Sequence, residues 1–378
     1  KSNYCKIMRE KKFEFIFDCG SSRVRGGAIN VDDIKKSFYN ESEFFFAQSD
    51  IDIKIKNIVT SLEKNTDEYL DSINLMIDSQ KMLTIGVSIS KKLDGSKLKK
   101  EDIQFLIQDA KQQLLKNYPN QSIVHIIIQN YKIDDTNYNF FPDKMNCNLI
   151  SIDVLFICIP KNIIDYYKRI FFKLDISINQ IFCSSYAKSL NYKNSFFLNE
   201  NILFIDVGFK KTSIIYYNKN EIIFFDVLPI GGNHITSDIS KILNLNMEDS
   251  ENIKINFEQQ KNVLNEKKIS TNLVQQIISA RIEEILELSL KTIKLNLDFA
   301  LLDQHKVVLM GDGSRILDSE FKEKISFSKK IELIEESTED ICESAFKLIG
   351  GFNKQEVVII PKKVKKKGFF EKLFHLFR

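Results

Sequence analysis

Residues 202–217 read ILFIDVGFKKTSIIYY. Apolar runs flank a short Asp-Val-Gly turn and a polar tip, which is the pattern of a buried β-hairpin. The turn puts Asp206 at the end of the first strand and Gly208 just beyond it. A glycine there lets the backbone come close to a ligand, and consecutive N–H groups of such a turn can form an anion nest. A carboxylate beside the nest repels phosphate unless a cation lies between them. The pair Asp206/Gly208 therefore makes most sense around a metal-bound phosphate, although an ordinary hairpin would explain this stretch taken alone.

A second copy changes the reading. Residues 13–25, FEFIFDCGSSRVR, repeat the design with Asp18, Gly20 and the hydroxyls of Ser21 and Ser22. Two such hairpins far apart in one chain imply a duplicated α/β fold with a phosphate gripped from both halves. This pairing resembles the actin/sugar-kinase/heat-shock-chaperone superfamily, in which ATP lies between two related domains.

Composition excludes several classes. The 378 residues, 43% hydrophobic and 28% charged, suit a soluble globular chain of two or more domains. The net charge of +3 is uneven: residues 362–378 hold seven Lys/Arg against Glu371, so the remainder sums to −3. The body is not a nucleic-acid surface by charge. None of the six cysteines forms a C-x-x-C pair, which points to reduced thiols rather than a disulfide framework. The four histidines share no ligand-like spacing, and no apolar run is long enough to span a bilayer.

Along the chain, residues 52–75 show apolar residues at helical spacing. A segment of different character, 82–160, reads β–α–β–β and suits an α+β module inserted into the first domain. Helix 162–174 resumes that domain. After the 202–217 hairpin come a third strand, EIIFFDVLPI, and Gly231-Gly232 before an amphipathic helix. Glu251 and Lys254 lie three apart on one helical face, a spacing that a plain surface ion pair would also show. A long helix spans 272–299, and KVVLMGDGS then runs a strand into Gly311, Gly313 and Ser314, a further phosphate- or purine-compatible turn.

The end, GFFEKLFHLFR, carries Phe369, Phe370, Leu373, Phe374 and Phe377 at helical period, behind a Lys365-Lys366-Lys367 cluster. Each apolar side chain buried at an interface contributes up to ~1.5–3 kcal/mol. Each nearby Lys or Arg adds about 1 kcal/mol on an anionic surface. Such a helix is expected to lie in the plane of a membrane surface.

Assembled in order, these features resemble the bacterial cell-division FtsA family, whose members are actin-like membrane tethers of FtsZ. The marks are D-C-G-S-S-R at Asp18, His125/Gln129/Tyr131, D-V-G at Asp206, and P-I-G-G-N-H-I-T-S-D-I from Pro229. E-N-I-K at Glu251, R-I-E-E at Arg281, M-G-D-G-S at Met310 and the basic amphipathic end complete the set. The resemblance implies five segments. Residues 1–81 and 161–198 form a first actin-like domain (1A), and 82–160 an inserted 1C subdomain. Residues 199–230 and 301–352 form 2A, 231–300 form 2B, and 353–378 are linker and membrane helix.

It also implies ATP and Mg²⁺ as ligands. Asp18, Gly20, Ser21 and Ser22 would form the first phosphate loop; Asp206, Gly208, Lys211 and Thr212 the second, beside Gly231 and Gly232. Both aspartates would meet Mg²⁺ through water. Glu251 and Lys254 would hold the ribose, and Gly311, Gly313 and Ser314 the adenosine. The second loop departs from the family's D-I-G-G-G-T-T-D, with Phe209, Lys210, Lys211 and Ser213 in place of Gly, Gly, Thr and Asp. Weak or no ATPase activity is therefore expected. Arg281 and Glu284 would meet the FtsZ C-terminal peptide. Self-association into filaments, later divisome proteins on 1C, an anionic membrane and a place on the cytoplasmic face at the septum complete the expectation. An actin-fold pilus-assembly or cell-shape protein, or an active phosphotransferase, are the alternatives.

Overall fold

The computed structural model describes residues 12–197, 200–219, 221–257, 269–297, 305–314 and 331–349. Two five-stranded sheets carry the same topology. In the first, β1 (Phe13–Cys19) and β2 (Val24–Asn30) form the hairpin, β3 (Phe38–Glu41) extends it, and β4 (Ser72–Ile77) and β9 (Ser177–Cys183) lie parallel to β1 on its other side. The order is β3-β2-β1-β4-β9. In the second sheet, β10 (Asn201–Val207) and β11 (Thr212–Asn218) form the hairpin and β12 (Glu221–Leu228) extends it. Strands β13 (His305–Met310) and β14 (Ile331–Leu333) run parallel to β10 on the far side. Its order is β12-β11-β10-β13-β14, strand for strand the arrangement of the first.

The central strands are buried on both faces, as their unbroken apolar runs require. Every residue of β4 is buried, and so are all of β10 after Asn201. Helices α1 (Ile51–Thr66), α3 (Lys161–Phe172) and α4 (Ser184–Lys193) belong to the first half. Helices α5 (Gly232–Leu243), α6 (Met247–Ile255) and α7 (Thr271–Asn296) belong to the second. The closing helix α8 (Thr338–Ile349) crosses back to the first sheet, where Ile341, Cys342 and Ala345 pack with Ile16, Ile29 and Met76.

Helix α1 is shorter than its periodicity predicts. The left-handed backbone of Asp67 (φ 54) caps it, and the final part of the expected helix is strand β4. The run SINLMI is apolar throughout, and a short buried strand cannot be told from a helix segment by period alone. The short strands β3 and β14 and the helix α8 escaped the sequence reading for lack of flanking punctuation.

Residues 83–160 build a separate four-stranded antiparallel sheet, β5-β8-β6-β7, from β5 (Leu83–Lys92), β6 (Gln121–Ile133), β7 (Thr136–Tyr138) and β8 (Leu149–Pro160). Helix α2 (Lys100–Asn117) packs Ile103, Leu106 and Ala110 into its core. Two side chains of the His125-x-x-x-Gln129 run fix this module to the body. His125, fully buried, accepts the Cys183 N–H through Nε2 at 2.8 Å. Gln129 donates its amide to the carbonyls of Ile222 and Ile223 on β12, at 2.9 and 3.1 Å.

Candidate functional site: a cleft between matching hairpins

The two hairpin turns face each other across one cleft. Their backbones match closely. A Cβ added to Gly20 would stand 3.0 Å from the carbonyl of Arg23; one added to Gly208 would stand 3.1 Å from that of Lys211. In each turn, then, the third residue lies close enough to the sixth to leave little room for a side chain. The Gly208 N–H donates to that same Lys211 carbonyl at 2.8 Å. Between the turns lies a cavity of about 490 Å³, lined by Asp18, Gly20, Ser21 and Ser22 from one side and by Asp206 and Gly208 from the other. That volume lies within the range of small-molecule sites.

Both aspartates are buried, Asp18 to 5% and Asp206 to 3% exposure. Each is met by a cation of the chain itself. Asp18 stands opposite Arg25 in the hairpin register, and Arg25 Nη1 donates to it at 3.3 Å; the Ser184 hydroxyl donates at 2.7 Å. Asp206 accepts Lys188 Nζ at 3.0 Å, and the same ammonium reaches Glu336 at 3.1 Å. Lys211 meets Asp78 at 2.8 Å and donates to the Ser185 hydroxyl at 2.8 Å. Arg25 also reaches Asp312 at 2.5 Å.

The electrostatics follow. Burial pushes the Asp206 carboxyl upward, but Lys188, Lys211 and the Ser185 hydroxyl together hold the group below its ordinary value. Burial raises Asp18, and Arg25, Lys188 and the Ser184 hydroxyl offset that only in part. Burial works against the charge of Lys188, yet Asp206, Glu336 and Asp18 leave its pKa well above the ordinary lysine value. Lys188 is charged at neutral pH and is the hub of the cleft.

Of the remaining predicted residues Lys211 and Gly311 also line the cavity, whereas Thr212, Gly231, Gly232, Glu251, Lys254, Gly313 and Ser314 gather behind the second turn and do not. Glu251 and Lys254, both 4% exposed, pair at 2.6 Å. Both also bond the Thr236 hydroxyl, and Lys254 reaches the Gly232 carbonyl at 3.1 Å. They are therefore not the solvated ion pair that the spacing alone allows. Thr212 donates to the Ile230 carbonyl, and Ser314 to that of Gly311. Gly311 has φ +92, a backbone that side chains disfavour.

Phe209 separates the two clusters. Its ring is 7% exposed, packs edge-on against Phe44 at 5.1 Å and lies 5.5 Å from Lys254 Nζ. The second turn also seals onto the start of α5. The Gly232 N–H donates to Gly208 O at 2.9 Å, and the Asn233 N–H to Phe209 O at 2.7 Å. Gly231 is required there, since a Cβ would come within 2.4 Å of Gly208 O.

In this closed form the residues do not fit ATP with Mg²⁺. The phosphate end has room and donors, but the carboxylates that would face a metal already hold Arg25 and Lys188. The expected ribose residues Glu251 and Lys254, and Gly313 and Ser314 of the expected adenosine turn, lie outside the cavity lining, which only Gly311 of that turn reaches. Sequence reading missed Arg25, Asp78, Lys188 and Glu336, and read Asp312 only as a departure from the glycine usual in the family's adenosine turn. Two signals were present. Asp78 ends an apolar strand just as Asp18 and Asp206 sit at strand ends, and Lys188 interrupts an otherwise uncharged helix start, SSYAKSL.

Arg281 and Glu284 stand together on α7 at 2.5 Å, and Arg281 Nε donates to Asp238 of α5 at 2.7 Å. The guanidinium is thus shared between two carboxylates of the chain itself. The Lys365–Lys367 cluster and the aromatic end from Phe369 to Phe377 lie outside the described residues.

Comparison with known proteins agrees with the sequence marks. A family model described as "Cell division protein FtsA" matches residues 203–365. The chain is 26% identical over 341 residues to the protein of that name from Buchnera aphidicola subsp. Acyrthosiphon pisum, covering 82% of this chain and 79% of the relative. It is 22% identical over 280 residues to that of Agrobacterium fabrum, covering 69% and 62%. Among solved structures it is similar in fold to a chain of the "PilM-PilN type IV pilus biogenesis complex". The TM-score there is 0.59 at 11% identity, over 85% of this chain and 88% of that one. With the duplicated sheet order, these matches give the chain an actin-like fold and make it similar to the cell-division FtsA family along both of its halves.

Proposed function

We propose that the chain is an actin-like cell-division scaffold that carries FtsZ filaments on the cytoplasmic face of the cell membrane. The observation that carries this reading is the FtsA likeness, which takes in the second hairpin and, in one relative, 82% of the chain. Its division of labour would follow the expected segments: 1A and 2A around the cleft, 1C at residues 82–160 for self-association and later divisome proteins, and 2B for FtsZ. The amphipathic end from Phe369 to Phe377, led by Lys365–Lys367, would lie in the headgroup region of an anionic membrane.

The FtsZ C-terminal peptide would dock where Arg281 faces Asp238 and Glu284. An acidic peptide gains there by taking over a guanidinium that its neighbours already orient. ATP and Mg²⁺ remain the ligands the resemblance implies. They would need the Phe209 turn to lift from α5, and Asp18 and Asp206 to release their cations. Catalytic turnover is not part of this reading.

Two measurements test it. Arg281→Glu should weaken binding of the FtsZ C-terminal peptide at least tenfold; unchanged affinity would place the peptide elsewhere. Removing residues 368–378 should abolish co-sedimentation with phosphatidylglycerol-containing vesicles. Equal recovery of the shortened chain would end the tether reading.

A further inference from the structure

We propose that this chain latches its cleft shut with its own side chains, so that its two halves stay closed without any nucleotide bridging them. The pattern comes from the duplicated topology. Asp78 follows β4 and Asp312 follows β13, each two residues beyond the methionine aligned with its hairpin aspartate, Met76 opposite Asp18 and Met310 opposite Asp206. The two are therefore equivalent positions in the two sheets. Each is bound by a cation from the other half. Arg25 of the first hairpin reaches Asp312, and Lys211 of the second reaches Asp78 at 2.8 Å.

Such an exchange is reciprocal and crosses the cleft twice. Lys188, on α4 of the first half, adds a third crossing to Asp206 and Glu336. The hydroxyls of Ser185 and Ser213 meet at 2.9 Å, and Gln80 donates to the Lys210 carbonyl, both across the same gap.

Three buried cations thus meet the carboxylates Asp18, Asp78, Asp206, Asp312 and Glu336 that face the cleft. Without partners, such carboxylates would repel one another and draw in a metal or water. The positive charge that would otherwise come with a ligand is built into the chain. Phe209 completes the closure by filling apolar space between the halves against Phe44 and Phe46. The inference rests on this geometry and not on the division reading.

The test uses the full chain stripped of nucleotide. Small-angle scattering should match the closed structure, with the same radius of gyration before and after addition of excess Mg-ATP. An open particle that ATP closes, or one open in both states, overturns the latch. Arg25→Ala combined with Lys211→Ala should enlarge the particle, and an unchanged radius overturns the assignment of the latch to these residues. Should that variant fail to fold, the wild-type scattering measurement still decides. Peptide and vesicle binding enter none of these readouts, so the latch and the scaffold reading fail separately.

Discussion

The two hairpin turns share a backbone and differ in nearly everything built on it. In the first, Ser21 and Ser22 leave the turn facing the cavity, and the cation Arg25 sits back on the neighbouring strand. In the second, Phe209 folds over the Glu251/Lys254 pair, Lys211 spans to the other half, and the turn presses on Gly231. The comparison teaches that strand order and turn geometry are held by the buried hairpins. The glycine-to-carbonyl contact satisfies the turn whatever follows the glycine. The fold therefore tolerates a phenylalanine and two lysines where a ligand loop would need small residues, and chemistry can drift while architecture stays.

Lys188→Met should break the comparison most severely. It strands Asp206 and Glu336 as buried charges without their shared partner, a loss of about 3–5 kcal/mol. Denaturant unfolding at neutral pH reads it, and adding Asp206→Asn should recover part of the loss.

Gly231→Ala comes next. Its Cβ would stand 2.4 Å from Gly208 O, so the second turn must shift, at a cost of about 1–3 kcal/mol. Among the described residues no glycine leans on the first turn as Gly231 leans on the second, so this variant should raise hydrogen exchange around Gly208 and leave the amides around Gly20 unchanged.

A third test concerns pH. Burial, opposed by Glu221, pushes Lys193 down to about 8 from an ordinary value of 10.5. Below pH 8 it is protonated folded and unfolded alike. Between about 8 and 10.5 the unfolded chain binds more protons, so the contribution of this group to stability rises with pH, by at most about 1.4 kcal/mol per unit. Lys193→Met should remove that part of the slope.

The smallest effect belongs to Arg23→Ala at the rim of the first turn. Its pair with Glu41 at 3.1 Å is partly solvated and should be worth about 0–1 kcal/mol. A loss above that range would mean the first turn depends on its side chains as the second does.

Much of this was legible in the sequence, for reasons that particular residues make plain. The hairpins announced themselves because apolar runs on both sides of a glycine turn leave few alternatives. The inserted module stood out by its β–α–β–β order, and the Glu251/Lys254 spacing by its helical period. Strand β4 was hidden, since SINLMI is as apolar as a helix face. The cross-cleft partners were hidden more deeply. Arg25–Asp312 joins residues 287 positions apart, a pairing no local pattern encodes. Nor could spacing tell that Glu251 and Lys254 would be walled off from the cavity, because the wall is one ring from a distant turn. The departures at Phe209 to Lys211 were readable as departures. Their consequence was readable only once the turn was seen against α5.

The anchoring of the inserted module has a mechanical consequence. Gln129 grips the carbonyls of Ile222 and Ile223, Thr84 grips that of Phe225 at 2.5 Å, and His125 holds Cys183 in the opposite half. Strand β12, which takes those grips, ends at Leu228, and the chain passes through Ile230 straight into Gly231. The module has a foot on each side of the crevice, and one foot stands on the rail that feeds the seal. Traction applied by a neighbour would be delivered to that seam rather than absorbed in a joint of the module's own.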